Sequence, residues 1–189
     1  KVFEQYVARP SLLPALGSGK RVLLTGFGLF KGLALNSSGA IVTNISLHWP
    51  SLVGVNEKVE LGPISLHDGI FPVGQGAQRF HRKLTIGDEH IELRVLVLDV
   101  LWDIAGAIIA HEMESYQPEV VVMLGGGGGP ILENGALNCA KDMQGFESDG
   151  TGSEINFPEG RFILPIRDET HELPMSWDNQ KLRQQLDPY

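Results

Sequence analysis

Ile91-Glu-Leu-Arg-Val-Leu-Val-Leu98, then a helical stretch from Ile104 to about Tyr116, then Pro118 and Glu119-Val-Val-Val-Met-Leu124 decide how this chain folds. Both apolar runs are strand-sized and bounded by polar or breaker residues, the pattern of strands buried on both faces. Asp103 offers an N-cap for the helix between them, and Pro118 ends it. Upstream, Arg21-Val-Leu-Leu-Thr-Gly-Phe27 is a third such run, and Asn36-Ser-Ser38 supplies capping side chains for a helix with Ile41, Ile45 and His48 at helical spacing. This alternation predicts an α/β fold: one layered domain with a central, mainly parallel or mixed sheet flanked by helices. Residues 53–90 are broken by Gly62, Pro63, Gly69, Pro72, Gly74, Gly76 and Gly87, and predict only short strand pieces near Val59, Ile64, Ile70 and Phe71. Residues 131–138 predict one further strand.

The 189 residues, 42% hydrophobic, suffice for one sizeable core. Residues 1–20, with two prolines and the pair Gly17 and Gly19, are expected to be an N-terminal extension to a domain over 21–189. A net charge of −8 argues against nucleic acid and anionic membranes as partners, and no apolar run approaches the ~20 residues of a membrane span. The single cysteine, Cys139, excludes an internal disulfide. The six histidines fall into no metal-binding spacing, so no metal site is expected. A first residue of Lys1 leaves open a removed signal peptide, and with it a secreted or periplasmic compartment.

Three places offer chemistry. Thr25-Gly-Phe-Gly-Leu-Phe-Lys-Gly32 is a glycine-rich turn at the carboxyl end of the first strand, where open α/β sheets bind ligands. A dinucleotide reading of Gly26 and Gly28 meets its third glycine one position late, at Gly32. The run Gly125 to Gly129, Gly126 and Gly127 included, either lets a substrate lie against bare backbone or is a connector. Glu133, within Ile131-Leu-Glu-Asn-Gly-Ala-Leu137, either orients a histidine or is a carboxylate satisfied by backbone amides. Ser37 and Ser38 lack a nucleophile elbow and are expected to cap a helix. Cys139 is read as a buried thiol or a reactive one.

Thr25-Gly-Phe-Gly-Leu-Phe-Lys-Gly32 followed by Asn36-Ser-Ser38 resembles the opening signature of the pyroglutamyl peptidase family. Gln117-Pro-Glu-Val-Val-Val-Met-Leu-Gly125, Glu133-Asn-Gly-Ala-Leu-Asn138 and Leu164-Pro-Ile166 are similar to later motifs of that family, in the same order. The resemblance implies a thiol peptidase that removes an N-terminal pyroglutamyl or related lactam group, by acyl transfer and without a cofactor, from a peptide with a blocked N-terminus or a small lactam. It implies a cysteine thiolate as nucleophile, a histidine as base and acid, and a glutamate holding the histidine, for which Glu133 is the match. Phe27 and Phe30 match the aromatic residues that receive the flat lactam ring, with Gly126 and Gly127 beside it. The family also implies a cytoplasmic location.

Several positions depart from the pattern. Leu29, Lys31 and Ser37 replace two turn residues and a proline, Asn134 replaces an arginine, and Lys141-Asp-Met-Gln-Gly145 offers no counterpart to a later arginine. The family's nucleophile lies beyond Leu-Pro-Ile, whereas Cys139 precedes it; no cysteine or matching histidine follows Ile166. Nucleophile and base are therefore expected in a segment outside these residues: the C-terminal remainder of the same protein, as a continuation or a separate chain. Trp177-Asp-Asn-Gln-Lys-Leu-Arg-Gln-Gln-Leu186, a capped helix with Leu182 and Leu186 on one face, predicts that something packs there. The alternatives are an inactive binding module on the same scaffold and, more remotely, a nucleotide-binding α/β protein.

Overall fold

The computed structural model describes residues 2–8, 17–28, 36–52, 59–66, 77–100, 102–126, 135–137 and 172–174, with Asp178, Gln180, Lys181 and Gln184. The chain divides into two compact units, Lys1–Gly126 with Asp149–Ser153, and Gly127–Ser148 with Glu154–Tyr189.

The first unit is an α/β layer structure. Its elements are α1 (Val2–Val7), β1 (Lys20–Phe27), α2 (Ser37–Leu52), β2 (Val59–Leu66), β3 (Ala77–Ile86), β4 (Glu89–Leu98), α3 (Trp102–Tyr116) and β5 (Val120–Met123). The five strands form one mixed sheet in the order β2-β3-β4-β1-β5. The β4-β1-β5 part is parallel, and the β2-β3-β4 part is an antiparallel meander. Gly87 turns β3 into β4 with φ 58°, a conformation that costs glycine nothing sterically. Gly62 and Pro63 fall where the β2–β3 register shifts, which spares the ladder the N–H that proline lacks.

Strand alternation gives the sheet two apolar faces, and helices cover both. On one face Leu24, Leu84, Leu93 and Val95 pack with Val42 and Ile45 of α2. On the other, Leu23, Leu96 and Leu98 pack with Ile108 and Tyr116 of α3 and Tyr6 of α1. The sequence places the buried stripe of α2 on Ile41, Ile45 and His48; Ile45 does pack against the core, but Ile41 is 48% exposed and the fully buried line is Ser38, Val42 and Ser46. A helix whose first turn lies almost on the sheet backbone favours small side chains there, so hydrophobicity points to the wrong face. The side chain of His48 lies outside the described residues.

Two boundaries also differ from the sequence reading. The third helix begins at Trp102, so Asp103 lies inside its first turn instead of capping it. Residues 53–90, expected to hold only fragments, contain an eight-residue and a ten-residue strand. β3 escapes a hydrophobic reading because Arg79 and His81 take core-facing positions among Ala77, Phe80 and Leu84. Ile70 and Phe71 lie outside the described residues.

In the second unit, β6 (Gly135–Leu137) pairs antiparallel with β7 (Glu172–Pro174) in a sheet of its own. Only residues 135–137 of the strand expected over 131–138 are described as strand. Further on, the Asp178 carboxylate accepts the main-chain N–H groups of Gln180 and Lys181 at 3.1 Å each, the N-cap expected of the tail helix.

Candidate functional site at the carboxyl edge of the parallel strands

β1 and β4 are parallel neighbours, yet α2, which follows β1, covers one face of the sheet while α3, which follows β4, covers the other. Between such strands the chain departs in opposite directions and leaves a crevice at the carboxyl ends, the usual ligand position in open α/β sheets. Phe27, Gly28, Asn36, Leu98 and Asp99 stand at this edge, and Leu124 to Gly126 continue it beyond β5.

A short hydrogen-bonded chain shapes the edge. Asn36 caps α2: its carbonyl accepts the N–H of Ala40 at 3.2 Å and its side-chain Oδ1 accepts that of Ser38 at 3.1 Å. The Ser38 hydroxyl donates to the same Oδ1 at 2.8 Å and accepts the main-chain N–H of Phe27 at 3.0 Å. The last residue of β1 is thereby clasped to the first turn of α2. Gly28 N–H extends the β1–β4 ladder to Leu98 O at 2.8 Å, and Leu124 N–H extends the β1–β5 ladder to Thr25 O at 2.8 Å.

Two glycines permit the close approach. A Cβ on Gly26 would come within 2.5 Å of Ser38 O, and one on Gly39 would strike the carbonyl of Phe27. The glycine of Thr25-Gly-Phe27 therefore has a packing role within the strand. Gly126 comes close to the same clasp, since a Cβ there would lie 3.6 Å from Asn36 Oδ1.

Of the residues singled out from sequence, Phe27 and Gly126 reach this edge. The Phe27 ring is partly buried and packs against the cluster that holds Leu98 and Ile108. Phe30, Gly127, Glu133 and Cys139 lie outside the described residues. Ser38, expected only to cap a helix, is a buried bridge that leaves the cap itself to Asn36.

A second polar assembly, which sequence reasoning missed, lies under α3 toward the other end of β4. Glu112 is fully buried, and its carboxylate takes the Tyr6 hydroxyl at 2.5 Å and Arg79 Nη1 at 3.2 Å on Oε1, and Arg94 Nη1 at 2.6 Å on Oε2. The Arg79 guanidinium lies 4.9 Å from the Tyr6 ring centre, and that of Arg94 lies 4.0 Å from the Tyr116 ring centre. Burial alone would raise the Glu112 carboxyl, but the Tyr6 hydroxyl and the two guanidiniums outweigh it and hold the group below its ordinary value. Burial pushes the phenols of Tyr6 and Tyr116 up; the Glu112 charge adds to this at Tyr6. Next to this group, Glu92 takes the N–H of Gly17 at 2.5 Å and lies 3.7 Å from Lys83 Nζ and 3.6 Å from His81 Nε2. The legible trace in sequence is Glu112 and Tyr116 four apart in a helix, opposite Arg79 and Arg94 at core-facing strand positions. The assembly ties together α1, β3, β4 and α3.

No protein-family model, curated protein or solved structure matches the chain.

Proposed function

We propose that this chain supplies the ligand-gripping part of a pyroglutamyl-peptidase-like cysteine hydrolase that recognises an N-terminal pyroglutamyl or related lactam group. The observation that carries the reading is the clasp between Phe27 and Ser38. It joins Thr25-Gly-Phe27 and Asn36-Ser-Ser38, the two halves of the sequence signature, at the edge where an α/β sheet receives ligands. A flat, neutral lactam suits an aromatic ring next to glycine backbone, which can approach closely and offers both N–H donors and carbonyl acceptors.

In this reading the lactam ring lies against Phe27 and the backbone at Gly126 meets its amide; Phe30 and Gly127 are the further positions that the resemblance names. Hydrolysis then needs a base that takes the proton of a thiol as its sulfur attacks the pyroglutamyl carbonyl. The protonated base gives that proton to the departing amine as the C–N bond breaks, and water, activated by the same base, cleaves the thioester to release pyroglutamate and regenerate the thiol. The resemblance gives the orienting of that base to Glu133. The test is turnover of a pyroglutamyl chromogenic amide by the protein isolated from its source, with and without iodoacetamide, alongside its intact mass. Thiol-sensitive turnover by a species heavier than these 189 residues supports the assignment. Binding without turnover reassigns the scaffold as a lactam-binding module, and neither binding nor turnover removes the proposal.

A further inference from the structure

The amino-terminal helix is an unusual element to find at the centre of a buried charge network. α1 has six residues, far too few to be helical without support from its surroundings. Glu4, Gln5 and Val7 face outward, Phe3 is partly buried, and Tyr6 is fully buried. The Phe3 and Tyr6 rings meet the edge of His111 on α3 at 6.2 and 6.1 Å between centroids. The deepest polar contact of α1 is the hydroxyl of Tyr6 on Glu112.

What remains when Tyr6 leaves decides how α1 behaves. Arg79 and Arg94 reach Glu112 from the sheet, so the buried carboxylate keeps two guanidinium partners without α1. Undocking strands no unpaired buried charge, the event that makes breaking most buried ion pairs so costly. It does remove Phe3 and Tyr6 from the apolar cluster against which Phe27 also packs. Segments of this kind open locally, ahead of the sheet they cover.

From this arrangement we infer that α1 is a detachable strap, latched by the Tyr6 hydroxyl on Glu112, whose docking steadies Phe27 at the carboxyl edge. Amide hydrogen exchange on the whole chain tests it, because one bonded amide reports each part. Ala8 N–H, bonded to Glu4 O at 2.9 Å, reports the strap; Gly28 N–H, bonded to Leu98 O at 2.8 Å, reports the neighbourhood of Phe27; Val95 reports the sheet. Tyr6→Phe keeps the ring and removes the latch, and is expected to speed exchange at Ala8 by about ten- to a hundredfold, and at Gly28 in the same direction, with Val95 unchanged. Phe3→Ala, which leaves the Glu112 contacts intact, is expected to act the same way. Ala8 exchanging in step with Val95 in the unmodified protein would overturn the inference, as would Tyr6→Phe leaving either Ala8 or Gly28 unaltered.

Discussion

The main-chain N–H of Phe27 donates to the hydroxyl of Ser38 at 3.0 Å, which fixes the end of the first strand to the start of the helix that follows it. The contact is part-buried, and Ser38 itself is 1% exposed. Ser38→Ala therefore leaves a strand-end donor without its acceptor and is expected to cost about 1–3 kcal/mol, read as a lower urea midpoint with unchanged slope. Asn36→Ala, which removes the cap and the acceptor of the Ser38 hydroxyl but leaves the Phe27–Ser38 bond, is expected to cost about 1–2 kcal/mol.

Gly39→Ala tests the same contact by crowding instead of deletion. The added methyl group meets the Phe27 carbonyl, which belongs to a paired strand and cannot step aside. A loss of about 1–3 kcal/mol or more is expected. By contrast, Gly106→Ala in α3 meets nothing within 4 Å and is expected to stabilise the protein by about 0.5–1 kcal/mol.

Gln117 ends α3 in a left-handed conformation with φ 51°, and Pro118 follows it. Its N–H bonds Met113 O at 3.0 Å, and its carbonyl accepts Arg21 Nε at 2.8 Å, so the conformation is held by contacts that need no side chain. Gln117→Gly keeps both and removes the steric penalty of a Cβ. A gain of about 1 kcal/mol, seen as a higher melting temperature, is the expected result.

The Glu112 network contributes a pH dependence to stability. A carboxyl whose folded value is depressed contributes fully above its unfolded value, about 4.3, and that contribution is lost as pH falls through the folded value. Tyr6 and Tyr116 act at the other end: their raised folded values make stability fall as pH rises above about 10, where the unfolded phenols ionise and the buried ones resist. Glu112→Gln is expected to remove the acid-side dependence of this group and to cost about 3–5 kcal/mol, because two buried guanidiniums lose their counter-charge. Denaturation curves across pH, for the protein and this variant, check both.

The architecture was legible in sequence wherever a segment is apolar enough to announce its period. β1, β4 and β5 are such segments, and the start of α2 follows from its Asn36 cap and the end of α3 from Pro118. β3 was not legible, because its core-facing Arg79 and His81 read as surface residues until Glu112 and Glu92 stand opposite them. The α2 face was misread for a related reason: Ser38 and Ser46 are buried through hydrogen bonds, Ser46 to Val42 O at 2.8 Å, and not through hydrophobicity. At the candidate site, Thr25-Gly-Phe27 and Asn36 were visible as a motif, while the reason for their spacing appeared only as the Phe27–Ser38–Asn36 hydrogen-bond chain.

The proposed recognition of a pyroglutamyl group is tested most directly by titrating the chain with pyroglutamyl-alanine amide and following backbone amide shifts. Saturable shifts concentrated at Phe27, Gly28 and Gly126, reduced by Phe27→Ala and absent with a prolyl control of the same length, are the expected result. Shifts that do not saturate, or that fall on the Glu112 face and leave these three amides unmoved, would contradict it.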